Sequence, residues 1–118
     1  MQKYKIFQVK LTQEQVASIS NEDNAPVPDW YKDYIDTTMY PDHTKVNKAL
    51  YLYSHVGNIT AKNLDDVYHV GNDPFDNPAV EYLSNPSGRS MHSLTVGDVV
   101  EDPDGKKYFV NFAGFGEL

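Results

Sequence analysis

The sequence contains no cysteine, a single arginine (Arg89), a single tryptophan (Trp30) and no long apolar run. The absence of cysteine excludes disulfide bonds, thiolate nucleophiles and zinc sites built on cysteine. No apolar stretch approaches the ~18 residues that a membrane-spanning helix needs, so we expect no membrane segment. Residues 1–5 lead directly into an alternating pattern without an apolar leader, and we therefore expect no signal peptide and a cytoplasmic protein.

Acidic residues outnumber basic ones, 17 to 10, which gives a formal net charge of −7. This balance disfavours non-specific attraction to a phosphate backbone, so we expect no direct binding of nucleic acid. A length of 118 residues is typical of one domain, which we assign to residues 1–118. Nine tyrosines and five phenylalanines supply large rings for its core.

Side chains that alternate between two faces predict the strands. The pattern indicates strands over residues 3–11 and 49–59, and Gly57 within the second predicts a bulge or the end of the strand. Residues 94–112 predict a β-hairpin, because the Asp-Gly pair at 104–105 is a strong turn signal between two strand-like runs.

Helices are predicted from capping residues and apolar spacing. They cover residues 12–19, residues 30–37 after a cap at Asp29, and a segment from Thr60 or Asn63 to a C-terminal cap at Gly71. Residues 72–90 predict a long ordered loop with one helical turn at 79–83. The expected fold is α+β: a small, mainly antiparallel sheet with two or three short helices on one side and a C-terminal β-hairpin.

The C-terminal segment carries a resemblance. Residues 89–100 read Arg-Ser-Met-His-Ser-Leu-Thr-Val-Gly-Asp-Val-Val, and an Asp-Gly turn and Gly114-Phe115 follow. This pattern resembles the C-terminal signature of a family of small proteins encoded by bacteriophages, plasmids and conjugative elements, to which YodL-like domains are similar. The similarity covers residues 47–118 and departs at Met91-His92 and at Phe75, near which a tryptophan is expected. It implies a phage or mobile-element setting and no particular activity.

The same signature has a structural interpretation, which we favour over a catalytic one. Gly97 suits a bulge or a close backbone approach, and the Asp98 carboxylate is placed to accept hydrogen bonds from nearby backbone amides. On this interpretation the segment is a hairpin that completes the sheet.

Arg89 and Ser90 form the first candidate binding site. Arg89 is flanked by Gly88 and Ser90, so backbone amides and a hydroxyl are available to help it bind an anion. The alternative, which we favour, is a loop arginine that pairs with one of the acidic residues. If the chain has a small-molecule or nucleotide site, these two residues are its centre.

An acidic stripe forms the second candidate. Asp29, Asp33 and Asp36 are spaced i, i+4 and i+7, so they share one face of the predicted helix. Such a stripe imitates the phosphates of DNA, but a solvated helix face is the commoner explanation. Trp30, on another face, serves either the core or a partner as an aromatic anchor.

Catalytic and metal-binding motifs are not found. The sequence has no nucleophile elbow, no phosphate-binding glycine loop and no metal-ligand spacing among its four histidines. We therefore expect no catalytic residues, no metal and no cofactor. The leading hypothesis is a non-enzymatic phage or mobile-element protein that binds a host macromolecule, most simply a host protein. The alternatives are an acidic DNA mimic that inhibits a host DNA-binding defence protein, and a ligand-binding module centred on Arg89.

Overall fold

The computed structural model describes residues 1–11, 14–15, 29–74, 77–85, 88–89, 91–112 and 114–118. Its helices are α1 (Asp29–Met39), α2 (His43–Lys48) and α3 (Leu64–Asn72), with a 3₁₀ turn at Leu50–Leu52. Its strands are β1 (Gln2–Val9), β2 (Tyr53–Ala61), β3 (Val80–Tyr82), β4 (Ser84–Asn85), β5 (Gly88–Arg89), β6 (Val99–Glu101), β7 (Lys107–Asn111) and β8 (Gly114–Glu117). The α+β class with an antiparallel sheet and three helices is confirmed.

Six strands form one antiparallel sheet in the order β3-β2-β1-β6-β7-β8, while β4 and β5 pair separately. The first strand of the chain therefore lies near the middle of the sheet. Ile6 lies opposite Gly57 but Phe7 lies opposite His55, so Val56 is an extra residue in β2. This irregularity confirms the bulge predicted at Gly57.

Two apolar clusters lie on opposite faces of the sheet. Tyr4 and Ile6 of β1 pack with Val67 of α3 on one face. Phe7, the next residue along β1, packs on the other face with Val46 of α2. The prediction that the helices lie on one side of the sheet is therefore wrong: α2 and α3 cover different faces, because consecutive strand residues are apolar on both.

The C-terminal hairpin is confirmed, with β6 and β7 joined by a turn that has Gly105 at a φ of +86°. The first strand of this hairpin, β6, is shorter than predicted and begins at Val99 instead of Leu94. The reason is Gly97, whose φ of +94° turns the chain before the ladder begins. A further strand, β8, then pairs with β7 and forms one edge of the sheet.

Other boundaries need correction. Residues 79–83 were expected to form a helical turn, but β3 runs through them and pairs with β2. The predicted strand over 49–59 begins with the 3₁₀ turn at Leu50–Leu52 and becomes regular only at Tyr53. The segment between Pro41 and Lys48, for which no element was assigned, contains α2, capped by the Asp42 carboxylate.

Asn63 caps α3, since its side chain accepts a hydrogen bond from the amide of Asp66. Gly71 is not a C-terminal cap but lies inside α3, where an added Cβ would fall 2.3 Å from a methyl carbon of Leu94. The helix predicted over residues 12–19 is described only at Glu14 and Gln15, both helical, and its other residues lie outside the described residues, as do 20–28. No helix in the described ranges is long and apolar enough to cross a membrane.

Candidate functional site

The three aspartates of the predicted acidic stripe lie on α1, but they are not equivalent. The Asp33 carboxylate accepts a hydrogen bond of 2.7 Å from the hydroxyl of Tyr51 and lies 3.8 Å from the ammonium of Lys48. Its side chain is only 12% exposed, whereas Asp29 is exposed. The bond to Asp33 raises the pKa of Tyr51 to about 12. Asp33 therefore ties α1 to the segment after α2, and this contact interrupts the stripe as a binding surface.

The aromatic residues of α1 pack on one another. The rings of Trp30 and Tyr31 meet edge to face at 5.9 Å, and Tyr31 lies 6.3 Å from Tyr34. Trp30 is partly buried. These contacts fit a packing role for the α1 rings.

Arg89 lies in β5, paired with Ser84 of β4, and Ser90 lies outside the described residues. The anion site proposed for this pair stays a prediction.

A groove of about 500 Å³ lies between α3 and the β7–β8 hairpin. The helix supplies one wall and the hairpin the other, although 34 residues, 73–106, separate the two elements in the sequence. The lining residues are Asp65, Tyr68, His69 and Asn72 from α3, and Asn111, Phe112, Gly114 and Phe115 from the hairpin.

Two ring pairs border this groove. Tyr68 and Phe115 meet edge to face at 6.2 Å across it, and the ring of Phe112 lies 6.4 Å from that of Tyr40. Phe112 and Tyr40 are each 70% exposed, and Met39, beside Tyr40, is 54% exposed. Large apolar side chains clustered in water are typical of surfaces that bind other molecules. We call Tyr40, Phe112, Tyr68 and Phe115 the ring surface.

The charge of the groove is negative. Asp65 is its only carboxylate, and no lysine or arginine lies among the described residues that line it. The neighbouring Asp66 carboxylate is used within the fold, because it accepts a hydrogen bond from the amide of Lys62. A groove of this kind favours apolar groups with positive charge nearby.

The ring surface was not predicted as a site. Tyr68 and Phe112 were not singled out in the sequence as candidate site residues, and Phe115 was named only in the Gly114-Phe115 part of the C-terminal signature. In the structure Tyr68 is 39% exposed. No local pattern in the sequence indicates the ring surface, because its groove forms only where α3 and the β7–β8 hairpin lie side by side.

A second cavity, of about 150 Å³, lies where α1 meets the segment before β6. Asp98 borders it and is almost fully buried, and burial raises the pKa of its carboxyl to about 6. The carboxylate accepts hydrogen bonds from the Gln8 amide and from the N–H of Thr95. Bonding of Asp98 to a nearby backbone amide is thereby confirmed, and these contacts hold the chain in place.

The charged face of the sheet is internally paired. Lys5 and Lys107 both lie within 4 Å of the Glu101 carboxylate, at 3.7 and 3.4 Å. Glu81 accepts from the Asn58 amide at 2.6 Å and lies 3.4 Å from Lys3, and these contacts lower the pKa of its carboxyl. The described part of the chain contains no group of three histidine, aspartate or glutamate residues placed to hold a metal ion.

The chain matches no protein-family model, and no curated protein and no solved structure is significantly similar to it.

Proposed function

We propose that this chain is a non-enzymatic phage or mobile-element protein that acts by binding a host protein through the ring surface. The observation that carries the proposal is the pair of exposed rings, Tyr40 and Phe112, placed beside a groove walled by Tyr68 and Phe115. Solvent-exposed rings around a concave, preformed site are the usual anchors of protein interfaces. The resemblance of residues 47–118 to mobile-element proteins supports the setting.

The other two functions have less support. For the acidic DNA mimic, Asp33 is engaged by Lys48 and Tyr51, which leaves two of the three stripe carboxylates for a partner. For the ligand-binding module, the structure describes Arg89 only by its strand pairing with Ser84, and Ser90 lies outside the described residues. Both remain alternatives to the ring surface.

The experiment is capture of a partner from a bacterial lysate on the immobilised chain, followed by affinity measurement with the purified partner. Phe112→Ala should weaken binding roughly 30-fold, since truncating an anchor residue typically costs about 2 kcal/mol. Tyr51→Ala is the matched control, because Tyr51 is also well exposed but does not line the groove. Equal affinity of the Phe112→Ala variant and the wild type would contradict the proposal.

A further inference from the structure

We infer that β8 takes up an extended segment of the partner as a seventh strand of the sheet, and that this segment combines apolar residues with lysine or arginine. The inference rests on the proposed function and adds the binding mode and the chemistry of the occupant. It follows from three features: the direction of the backbone groups of β8, the position of the groove, and the charge around it.

The hydrogen-bond register decides which groups of β8 point outward. The N–H of Val110 donates to the carbonyl of Asp98, so alternate residues of β7, namely 106, 108 and 110, face β6. The remaining residues of β7 face β8, in agreement with the bond from the N–H of Leu118 to the carbonyl of Lys107. Residues 114, 116 and 118 are therefore bonded to β7, and Phe115 and Glu117 direct their N–H and C=O groups away from it.

This outer edge has no strand beside it in the described part of the chain, because β8 ends the sheet order. Natural sheets usually protect such edges with lysine, proline or a bulge. The edge here has glycine at 114 and 116, and its one charged residue, Glu117, is bonded to Lys106 at 2.7 Å. An edge without these protections is suited to pairing with another strand.

The groove completes the arrangement. It runs between β8 and α3, and the edge-to-face pair of Phe115 and Tyr68 forms part of its wall. A strand added to β8 would send alternate side chains toward α3, where these rings offer an apolar contact. Strand addition at a sheet edge beside a helix gains main-chain hydrogen bonds for affinity and side-chain pockets for specificity.

Charge decides the occupant. Asp65 lines the groove without a lysine or arginine among the described lining residues, and the whole chain carries −7. Like charge therefore opposes pairing of β8 with a second copy of the chain, whereas a basic segment is attracted. We expect a lysine or arginine of the occupant to lie beside Asp65, on the same α3 wall as Tyr68, and its apolar residues to contact the rings.

The test begins with a library of random linear peptides, selected on the immobilised full chain. We expect the selected peptides to combine apolar and basic residues. In amide exchange by NMR, Phe115 and Glu117 should exchange fast in the free chain, while Gly116, bonded to β7, is slow. A selected peptide should slow exchange at Phe115 and Glu117.

A pair of variants isolates the backbone bond. Glu117→Pro removes the outward N–H without touching the ladder to β7, and Glu117→Ala keeps that N–H while losing the same contact with Lys106. The proline variant should bind a selected peptide about tenfold more weakly, and the alanine variant should bind like the wild type. If the proline variant does not fold, the test of strand addition is amide exchange at Phe115 and Glu117 in the wild-type chain with a selected peptide.

Three outcomes overturn the inference. Selection of no peptide, or of acidic peptides, would contradict the proposed apolar and basic occupant. Peptides that bind without slowing amide exchange at Phe115 and Glu117 would contradict strand addition. If Phe112→Ala still weakens the binding of those peptides, the proposed function stands without the strand addition. Protection of the two amides in the free chain that grows with its concentration would identify a second copy of the chain as the occupant.

Discussion

The side-chain amide of Gln8 donates a hydrogen bond of 3.1 Å to the carboxylate of Asp98, 90 positions further along the chain. Gln8 also exchanges two hydrogen bonds with the main chain of His92, at 2.9 and 3.1 Å. Thr95 donates its N–H to the same carboxylate oxygen of Asp98. Because Gln8 is fully buried in β1, these bonds fasten the segment before β6 to the middle of the sheet.

The first prediction concerns Asp98. Burial raises its pKa to about 6, above the ordinary value of 3.8, so the folded chain holds a proton that the unfolded chain releases between these values. The contribution of Asp98 to stability is therefore largest below pH 4 and falls by about 3 kcal/mol as pH rises through 6. Urea unfolding at pH 4, 5, 6 and 7 should show this difference between the wild type and Asp98→Asn.

Asparagine cannot ionise, which makes Asp98→Asn the control for every other titrating group, including His92 and Lys10 nearby. The difference in free energy of unfolding between the two proteins isolates the carboxyl. A difference that stays constant from pH 4 to pH 7 would show that Asp98 has an ordinary pKa.

The second prediction concerns Gly97. An added Cβ would lie 2.1 Å from the carbonyl oxygen of Thr37, and the φ of +94° is already unfavourable for alanine. Gly97→Ala should lower the free energy of unfolding by ~2–4 kcal/mol, because the backbone of α1 has to move. Gly105→Ala is the control: its φ is +86° but no atom lies within 4 Å of the added Cβ, so it should cost about 1 kcal/mol. If both variants lost a similar amount of unfolding free energy, a steric clash between the added Cβ at position 97 and α1 would be excluded.

Local patterns were sufficient for part of this fold. The alternation in β1 and the Asp-Gly turn before β7 act over a few residues, and both elements are present, although β1 ends at Val9 and not at residue 11 as predicted. By contrast, β3 exists because Val80 pairs with Ile59 on β2, and its short sequence has no period of its own. Gly71 was misassigned for the same reason: its role is to admit the side chain of Leu94, which a local cap rule does not consider.

The candidate site was harder to predict from the sequence than the fold. The sequence identified Asp33 by its helical spacing with Asp29 and Asp36, but spacing does not reveal that Lys48 and Tyr51 approach the same carboxylate. The ring surface depends on α3 and β8 lying side by side, which is a property of strand order. Neither the order of the strands nor the outward register of β8 is encoded within a single segment.

The third prediction concerns the C-terminal strands. Deleting residues 98–118 removes β6, β7 and β8, which is half of the six-stranded sheet, together with Val99, Val100 and Phe109 of the two apolar clusters. It also exposes the inner edge of β1. The truncated chain should show no cooperative unfolding transition by circular dichroism. A cooperative transition close to the full-length melting temperature would contradict this expectation.

The fourth prediction separates the acidic stripe from the ring surface. If partners bind the rings, changing Asp29, Asp33 and Asp36 together to Asn should leave the affinity for a captured partner unchanged at high salt and lower it only slightly at low salt, where the smaller net charge weakens long-range attraction. If the stripe is the binding surface, the triple variant should bind more weakly and its affinity should lose its salt dependence, mainly through slower association. Trp30→Ala should then bind the partner with nearly unchanged affinity, whereas faster dissociation of that variant would identify the α1 rings as the anchor.

Asp33 also provides an internal check on this experiment. Its carboxylate raises the pKa of Tyr51 to about 12, so Asp33→Asn should return that pKa toward the ordinary value of 10. Asp29→Asn, the matched change at the exposed end of the stripe, should move the pKa of Tyr51 much less, because Asp29 acts on it only through space. Titration of the Tyr51 ring by NMR measures both. An unchanged Tyr51 pKa in Asp33→Asn would mean that Asp33 is free in solution, and the acidic stripe would then regain its third carboxylate.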